Sequence, residues 1–91
     1  MSGELPLGKE EIQLRLGQSA FIELLNLTVL SADSAKQQLV MRAAMRPEFE
    51  RGRGSGQWHG GPIAAIIDTV GDYALVMLLG RPLPTVNFRV D

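Results

Sequence analysis

Cysteine is absent from the sequence, and histidine and aromatic residues are scarce. Without cysteine the chain forms no disulfide, offers no thiolate nucleophile and cannot bind zinc or an iron–sulfur cluster through sulfur. His59 is the single histidine, so we predict no metal site. Strong charge of either sign is also missing, because the formal net charge is -1. We therefore expect no attraction to nucleic acid or to an anionic membrane.

The chain has 91 residues, which is enough for a single small domain spanning residues 1–91. A domain this small buries a modest fraction of its surface, so a partner subunit is expected to complete its core. Residues 1–7 lack a basic segment followed by an apolar run, so we expect no signal peptide and a cytoplasmic location.

Two strands and a short helix are predicted in the first half. Residues 8–16 are typical of an amphipathic helix ended by Gly17. Residues 26–30 and 36–45 have the composition and alternation of strands, joined by a turn at residues 31–34. The two strands form a hairpin with one apolar face.

A long apolar helix is predicted to open at Gly61-Pro62 and to stop at Gly80. Apolar residues lie on nearly every side of it, which predicts burial all round. A membrane span is the weaker interpretation, since Asp68 and Asp72 would each cost about 2.5–3.5 kcal/mol at a bilayer centre.

The predicted order of helix, strand, strand, long helix and strand indicates an α+β domain with an antiparallel sheet wrapped around one helix. The last strand is predicted at residues 85–90. Because three strands are few for covering such a helix, we expect the C-terminal strands of the sheet to be missing from this sequence.

Asp68 is the first candidate for chemistry because it lies among apolar residues of the long helix. A buried ionised carboxylate is costly unless it is paired, and perturbed carboxylates cluster at functional sites. The structural alternative is that Asp68 caps a loop or pairs with an arginine at a subunit contact. Asp72 follows one turn later, but the only histidine lies elsewhere, so the two carboxylates do not predict a metal site.

His59, Gly60 and Gly61 precede the helix, where free N–H groups and the positive end of the macrodipole favour a developing negative charge. The alternative is a glycine-rich turn without a function. Gly60 and Asp68 are eight residues apart, or ~12 Å at 1.5 Å per residue. We expect them to meet only across a two-fold interface between antiparallel helices.

The stretch HGGPIAAIIDT, residues 59–69, resembles the helix-opening motif of hotdog-fold acyl-CoA thioesterases, most closely the phenylacetate-degradation (PaaI-like) group. Residues 85–91 resemble the strand after that helix. The resemblance covers essentially the whole chain and the N-terminal two thirds of the family's domain. It implies a hotdog fold with active sites at the interface of a homodimer or homotetramer.

By this resemblance Asp68 is the catalytic carboxylate, acting as general base or as nucleophile. The N–H of Gly60 polarises the thioester carbonyl from the partner subunit, and Thr85 helps to hold the water. His59 and Gly61 shape the substrate side of the helix entrance. The implied reaction is hydrolysis of a small or aromatic acyl-CoA, and no separate cofactor is expected because coenzyme A is part of the substrate.

Arg53 is a departure from the family, because many relatives carry asparagine at that position. Arg51 and Arg53 suit contact with CoA phosphates, although a solvated basic loop is equally compatible with the pattern. Trp58 is expected either to line an acyl pocket or simply to pack. Two other functions stay open: a hotdog hydratase, which usually has a histidine shortly after the acidic residue, and a non-catalytic acyl-CoA-binding or oligomerising subunit.

Overall fold

A computed structural model of the protein describes residues 5–91; residues 1–4, part of the stretch expected to contain no signal peptide, lie outside the described residues. The described elements form an α+β arrangement of a two-stranded antiparallel sheet and one long helix, which confirms the predicted class. In chain order they are α1 (Lys9–Leu16), α2 (Ala20–Leu24), β1 (Leu27–Asp33), β2 (Gln38–Ala43), a 3-10 turn (Pro47–Phe49) and α3 (Gly60–Leu79).

Helix α1 forms where it was predicted and is attached to the sheet by one side chain. Gly17 follows its last residue, and the Gly17 N–H donates to the Leu14 carbonyl at 3.2 Å. Gln13 Nε2 donates to the Leu27 carbonyl at 3.0 Å, and Gln13 Oε1 accepts from the Val29 N–H at 2.8 Å. The side-chain amide of Gln13 thus satisfies one donor and one acceptor on the edge of β1 that faces away from β2.

The hairpin is confirmed, but the predicted position of its turn is wrong. Strand β1 continues to Asp33, which pairs with Gln38, and the turn occupies residues 34–37. Asp33 Oδ1 accepts from the Lys36 N–H at 3.1 Å, so the carboxylate that suggested a turn caps it from the end of the strand. A register shift between Val29 and Ser31 accommodates one extra residue.

One face of β2 is apolar, as its alternation predicted. The inward residues Leu39, Met41 and Ala43 pack against the core, whereas the residues between them point to solvent. The core itself lies between α1, the hairpin and the C-terminal half of α3, where the Leu7 N–H donates to the Met77 carbonyl at 2.8 Å. Its buried apolar side chains are Leu7, Ile12, Leu16, Leu25, Leu27, Val29, Phe49, Val76 and Met77.

Helix α3 has the predicted limits but not the predicted burial. It ends at Gly80, whose left-handed φ of 74° and N–H bond to the Val76 carbonyl at 2.7 Å close the last turn. Only Thr69, Val76 and Met77 are buried along its length. The prediction of burial all round was wrong because a two-stranded sheet covers one side of the helix. Large apolar side chains therefore stay exposed on the other side: Ile63, Ile67, Leu75 and Leu79.

By length and composition α3 is also the one helix of residues 5–91 that passes the test for a membrane span, a test that core helices of soluble proteins pass too.

The strand predicted at residues 85–90 does not form. This segment has no regular secondary structure, and the side chain of Val86 is 93% exposed. A strand is held by hydrogen bonds to a neighbouring strand, and none of the described residues pairs with this segment. The alternation of residues 85–90 therefore indicates a segment that is suited to a sheet, but none of the described strands lies beside it to pair with.

Candidate active site

Asp68 and Thr85 lie side by side, although 17 positions separate them in the chain. Thr85 Oγ1 donates to Asp68 Oδ1 at 2.7 Å, the short distance typical of a hydroxyl bound to a carboxylate. Helix α3 supplies Asp68, and the segment after Gly80 turns back along the helix to supply Thr85. The two residues face a cavity of about 430 Å³ between the helix and residues 83–89.

The residue Asp68 is half-buried, not buried as its apolar neighbours predicted. The reason is the open side of α3: Ile67, the residue before Asp68, is itself 42% exposed. The hydroxyl of Thr85 is the one hydrogen-bond donor to Asp68 among the described residues. One oxygen of the carboxylate thus stays available to a water or a substrate.

Asp72 lines the same cavity one helical turn further on. Burial, and then the negative charge of Asp68, raises the pKa of Asp72 above its ordinary value. Asp72 is therefore protonated more readily than an ordinary aspartate. No group of three potential metal ligands occurs among residues 5–91.

The entrance of α3 is capped by the imidazole of His59. His59 Nδ1 accepts from the Gly61 N–H at 3.0 Å, which occupies the amide of Gly61 and leaves the hydrogen of the ring on Nε2. The Gly60 N–H meets no acceptor among the described residues, and Gly60 is exposed. The helix entrance therefore presents one open amide, backed by the positive end of the helix.

The structure forms two clusters within one chain and does not join them. Thr85 meets Asp68, and His59 meets Gly61, but Gly60 and Asp68 stay eight residues apart on one helix. At 1.5 Å per residue this is ~12 Å along the axis, beyond the size of a thioester group.

Trp58 packs at the base of the helix entrance, where its ring stacks on Phe49 with centroids 5.3 Å apart. Trp58 also lines an apolar groove of about 300 Å³. Ile63 and Ile67, which also line the groove, lie between Gly60 and Asp68 along α3. The groove thus runs along the helix from one cluster towards the other. Its lining residues are Ala43, Trp58, Ile63, Ile66 and Ile67.

Arg53 lies in the exposed glycine-rich loop of residues 51–57, and none of the hydrogen bonds described joins it to either cluster. The carboxylate of Glu50 holds this loop by hydrogen bonds, a feature that the sequence did not predict. Hydrogen bonds from the backbone N–H groups of Gly56 and then Gly54 lower the pKa of Glu50. The available signal was an acidic residue directly before closely spaced glycines, which is weak without coordinates.

A second feature missed from the sequence is the cavity of about 560 Å³ between α1 and the C-terminal half of α3. Arg15 lines it, with Nε donating to Glu11 Oε2 at 2.9 Å and Nη1 donating to the Gly80 carbonyl at 3.2 Å. Tyr73 also lines it, and burial followed by the charge of Asp72 raises the pKa of Tyr73. The guanidinium of Arg15 thus binds the C-terminal end of α3.

A scan of protein-family models finds no match, and no curated protein matches the chain. Among solved structures, an X-ray structure of a protein from the thioesterase superfamily is similar with a TM-score of 0.79 and 31% sequence identity. The match covers 91% of this chain and 61% of that protein, so the chain spans about three fifths of its length. The predicted hotdog fold, in part of its full extent, is confirmed by this match.

Proposed function

We propose that the protein is an acyl-CoA thioesterase of the hotdog-fold superfamily, which hydrolyses a small or aromatic acyl-CoA to the free acid and CoA. The observation that carries the proposal is the Asp68 carboxylate, which Thr85 hydrogen-bonds at 2.7 Å, in a chain 31% identical to a thioesterase-superfamily protein. The finer assignment to the PaaI-like group is supported by the His59-Gly60-Gly61 motif with Asp68 nine residues after the histidine.

The reaction needs a donor at the carbonyl oxygen and a carboxylate at the carbonyl carbon. The open Gly60 N–H is the donor. As a general base, Asp68 takes one proton from a water whose oxygen bonds to the acyl carbon. The C–S bond then breaks, and the proton passes to the departing thiolate of CoA. As a nucleophile, Asp68 instead bonds to the acyl carbon itself, and the C–S bond breaks to release the CoA thiolate. Water then hydrolyses the resulting anhydride to the free acid and protonated Asp68, which gives its proton to the thiolate.

The separation of Gly60 and Asp68 supports a homodimer or homotetramer. Because one helix holds them ~12 Å apart, one subunit supplies the amide and its neighbour supplies the carboxylate when two α3 helices lie antiparallel. The exposed apolar side of α3 provides the contact surface for such a pairing. Acyl-CoA is the partner molecule, without a separate cofactor, nucleic acid or membrane, and the location is cytoplasmic.

Release of free thiol from a panel of acyl-CoA esters tests the proposal. Asp68→Asn keeps the shape of the side chain and removes its basicity, so we expect turnover to fall by roughly 10²–10⁴-fold. Asp33→Asn is the matched control, because among residues 5–91 the side chain of Asp33 accepts a hydrogen bond from the Lys36 N–H alone, in the hairpin turn outside the site. A single turnover in ¹⁸O-labelled water identifies the nucleophilic role, since label enters Asp68 only if Asp68 is the nucleophile.

If Asp68→Asn hydrolyses the panel as fast as the unchanged protein, Asp68 is not the catalytic carboxylate. If the unchanged protein hydrolyses none of the esters, the activity itself is wrong. Both results require folded protein, which thermal unfolding curves of the variant and of the unchanged protein establish.

A non-catalytic acyl-CoA-binding subunit is the second candidate. It is favoured by Arg53, which stands where many thioesterases of the resembling group carry asparagine. Calorimetry distinguishes the two functions, because saturable binding of an acyl-CoA without thiol release supports the binding subunit.

A further inference from the structure

The glycine-rich loop closes around a carboxylate from its own chain. Glu50 Oε2 accepts from the Gly56 N–H at 2.8 Å, and Glu50 Oε1 accepts from the Gly54 N–H at 3.0 Å. Gly54 and Gly56 have φ values of 79° and 69°, which residues other than glycine rarely adopt. Backbone amides that converge in this way form a concave anion-binding site, and here Glu50 fills it.

The base of the loop is fixed by backbone pairing. The Arg51 N–H donates to the Gln57 carbonyl at 2.8 Å, and the His59 N–H donates to the Phe49 carbonyl at 2.7 Å. The chain on one side of the loop thus continues directly into the entrance of α3. The conformation held by Glu50 is therefore coupled, through a few paired residues, to the position of the helix entrance.

Two arginines on this loop face a polar cavity. Arg51 and Arg53 line about 480 Å³ of space together with Glu48 and Glu50. Neither guanidinium forms an ion pair with any residue of the range 5–91. Both oxygens of Glu50, which lines the same cavity, accept hydrogen bonds from the loop amides. A guanidinium is the side chain best suited to bind phosphate oxygens.

We propose that Glu50 is a positioning residue, whose carboxylate holds the glycine-rich loop in the conformation that presents Arg51 and Arg53 to the phosphates of a CoA thioester. This inference rests on the proposed acyl-CoA substrate. A carboxylate is required because two N–H donors need two acceptor oxygens. Glutamine offers one acceptor and would turn its NH₂ group towards the second amide.

Glu50→Gln and Glu48→Gln form a matched pair for the test. Each removes one negative charge beside the same cavity, but the side chain of Glu48 accepts no hydrogen bond from the described residues. Simple electrostatics predicts that both variants bind CoA at least as tightly as the unchanged protein. The positioning role predicts the opposite sign for Glu50→Gln alone, a weakening of about fivefold from one lost charge-assisted hydrogen bond.

The measurement is calorimetric binding of CoA and, separately, of pantetheine, which lacks the nucleotide and its phosphates. Glu50→Gln is expected to weaken the binding of CoA and to leave the binding of pantetheine unchanged. It is also expected to raise KM for acyl-CoA while kcat stays within about twofold. A general folding defect would weaken the binding of both ligands and would lower the melting temperature. The amide NMR signals of Gly54 and Gly56 show whether the structural change is confined to the loop.

Equal or tighter CoA binding by Glu50→Gln overturns the positioning role. Binding of CoA by the unchanged protein without hydrolysis would leave Glu50 as a positioning residue of a binding site and would remove the proposed activity. Absence of CoA binding by the unchanged protein would remove both proposals.

Discussion

The two ends of α3 are held differently, although apolar side chains are exposed along one side of the whole helix, including Leu75 and Leu79 at its C-terminal end. At the C-terminal end Val76 and Met77 are buried, and the Gly80 carbonyl accepts from Arg15 on another helix. At the N-terminal end Gly60 is exposed and Ile63 is 43% exposed. One helix is therefore anchored at one end and open at the other, and the residues proposed for chemistry lie towards the open end. Polar groups in a weakly covered region stay accessible to a substrate, and the anchored end of the same helix fixes their position.

Truncation of Met77 should have the largest effect on stability. Its side chain is completely buried, and replacement of a large buried side chain by alanine costs about 2–5 kcal/mol. Leu75→Ala is the control on the same helix, because Leu75 is 55% exposed. Denaturant unfolding measures both variants. A cost for Leu75→Ala as large as that for Met77→Ala would show that the open side of α3 is covered in the assembled protein.

Gly80→Ala should have the next largest effect, because it strains the anchored end. Its φ of 74° costs an L-residue about 1–2 kcal/mol. An added Cβ would also lie 2.5 Å from Leu5 Cδ2, although that methyl group ends a flexible side chain and can move. Gly71→Ala, in the middle of the same helix with open space around it, should instead stabilise by roughly 0.5–1 kcal/mol. Changes of the same sign in the free energy of unfolding of the two variants would contradict this prediction.

Thr85→Val tests the open end without changing the anchored one. It removes the hydroxyl that donates to Asp68 and nearly preserves the shape of the side chain. We expect kcat to fall about tenfold, equivalent to about 1.4 kcal/mol, while the melting temperature stays within about 2 °C. Thr85→Ser, which keeps the hydroxyl, should restore most of the rate. A normal rate for Thr85→Val would show that the hydrogen bond has no part in turnover.

Local signals in the sequence predicted most of the fold. Gly17 and Gly80 mark the ends of two helices, and the alternation around Met41 gives the buried face of β2. These features depend on backbone sterics and on periodicity within one element. The hotdog fold followed from residues 59–69, whose motif could be recognised without coordinates.

Features that depend on distant residues were not predictable. Residues 85–90 alternate like a strand, but a strand also needs a neighbour, which no local pattern supplies. The burial of Asp68 depends on what covers α3, and the apolar residues around it in the sequence do not provide that cover. Glu50 was missed because its role appears only when the positive φ values of two glycines bring their amides together.

The smallest expected effects come from two carboxylates whose pKa values move in opposite directions. The pKa of Glu50 is lowered from 4.5 by the loop amides, so its contribution to stability is present above that value and is lost as pH falls through the lowered pKa. The pKa of Asp72 is raised from 3.8 by burial and by Asp68, so its ionisation destabilises the fold as pH rises through the raised pKa.

Unfolding free energies measured between pH 3 and pH 7 separate these two contributions. Glu50→Gln should be less stable than the unchanged protein at pH 7, with a difference that shrinks in acid below about pH 4.5, the ordinary pKa of the group. Asp72→Asn should be more stable at pH 7, and its advantage should also disappear in acid, because the side chain at position 72 is then uncharged in both proteins. An Asp72→Asn variant that loses stability at pH 7 would mean that the assembled protein supplies a cationic or hydrogen-bonding partner at this carboxylate.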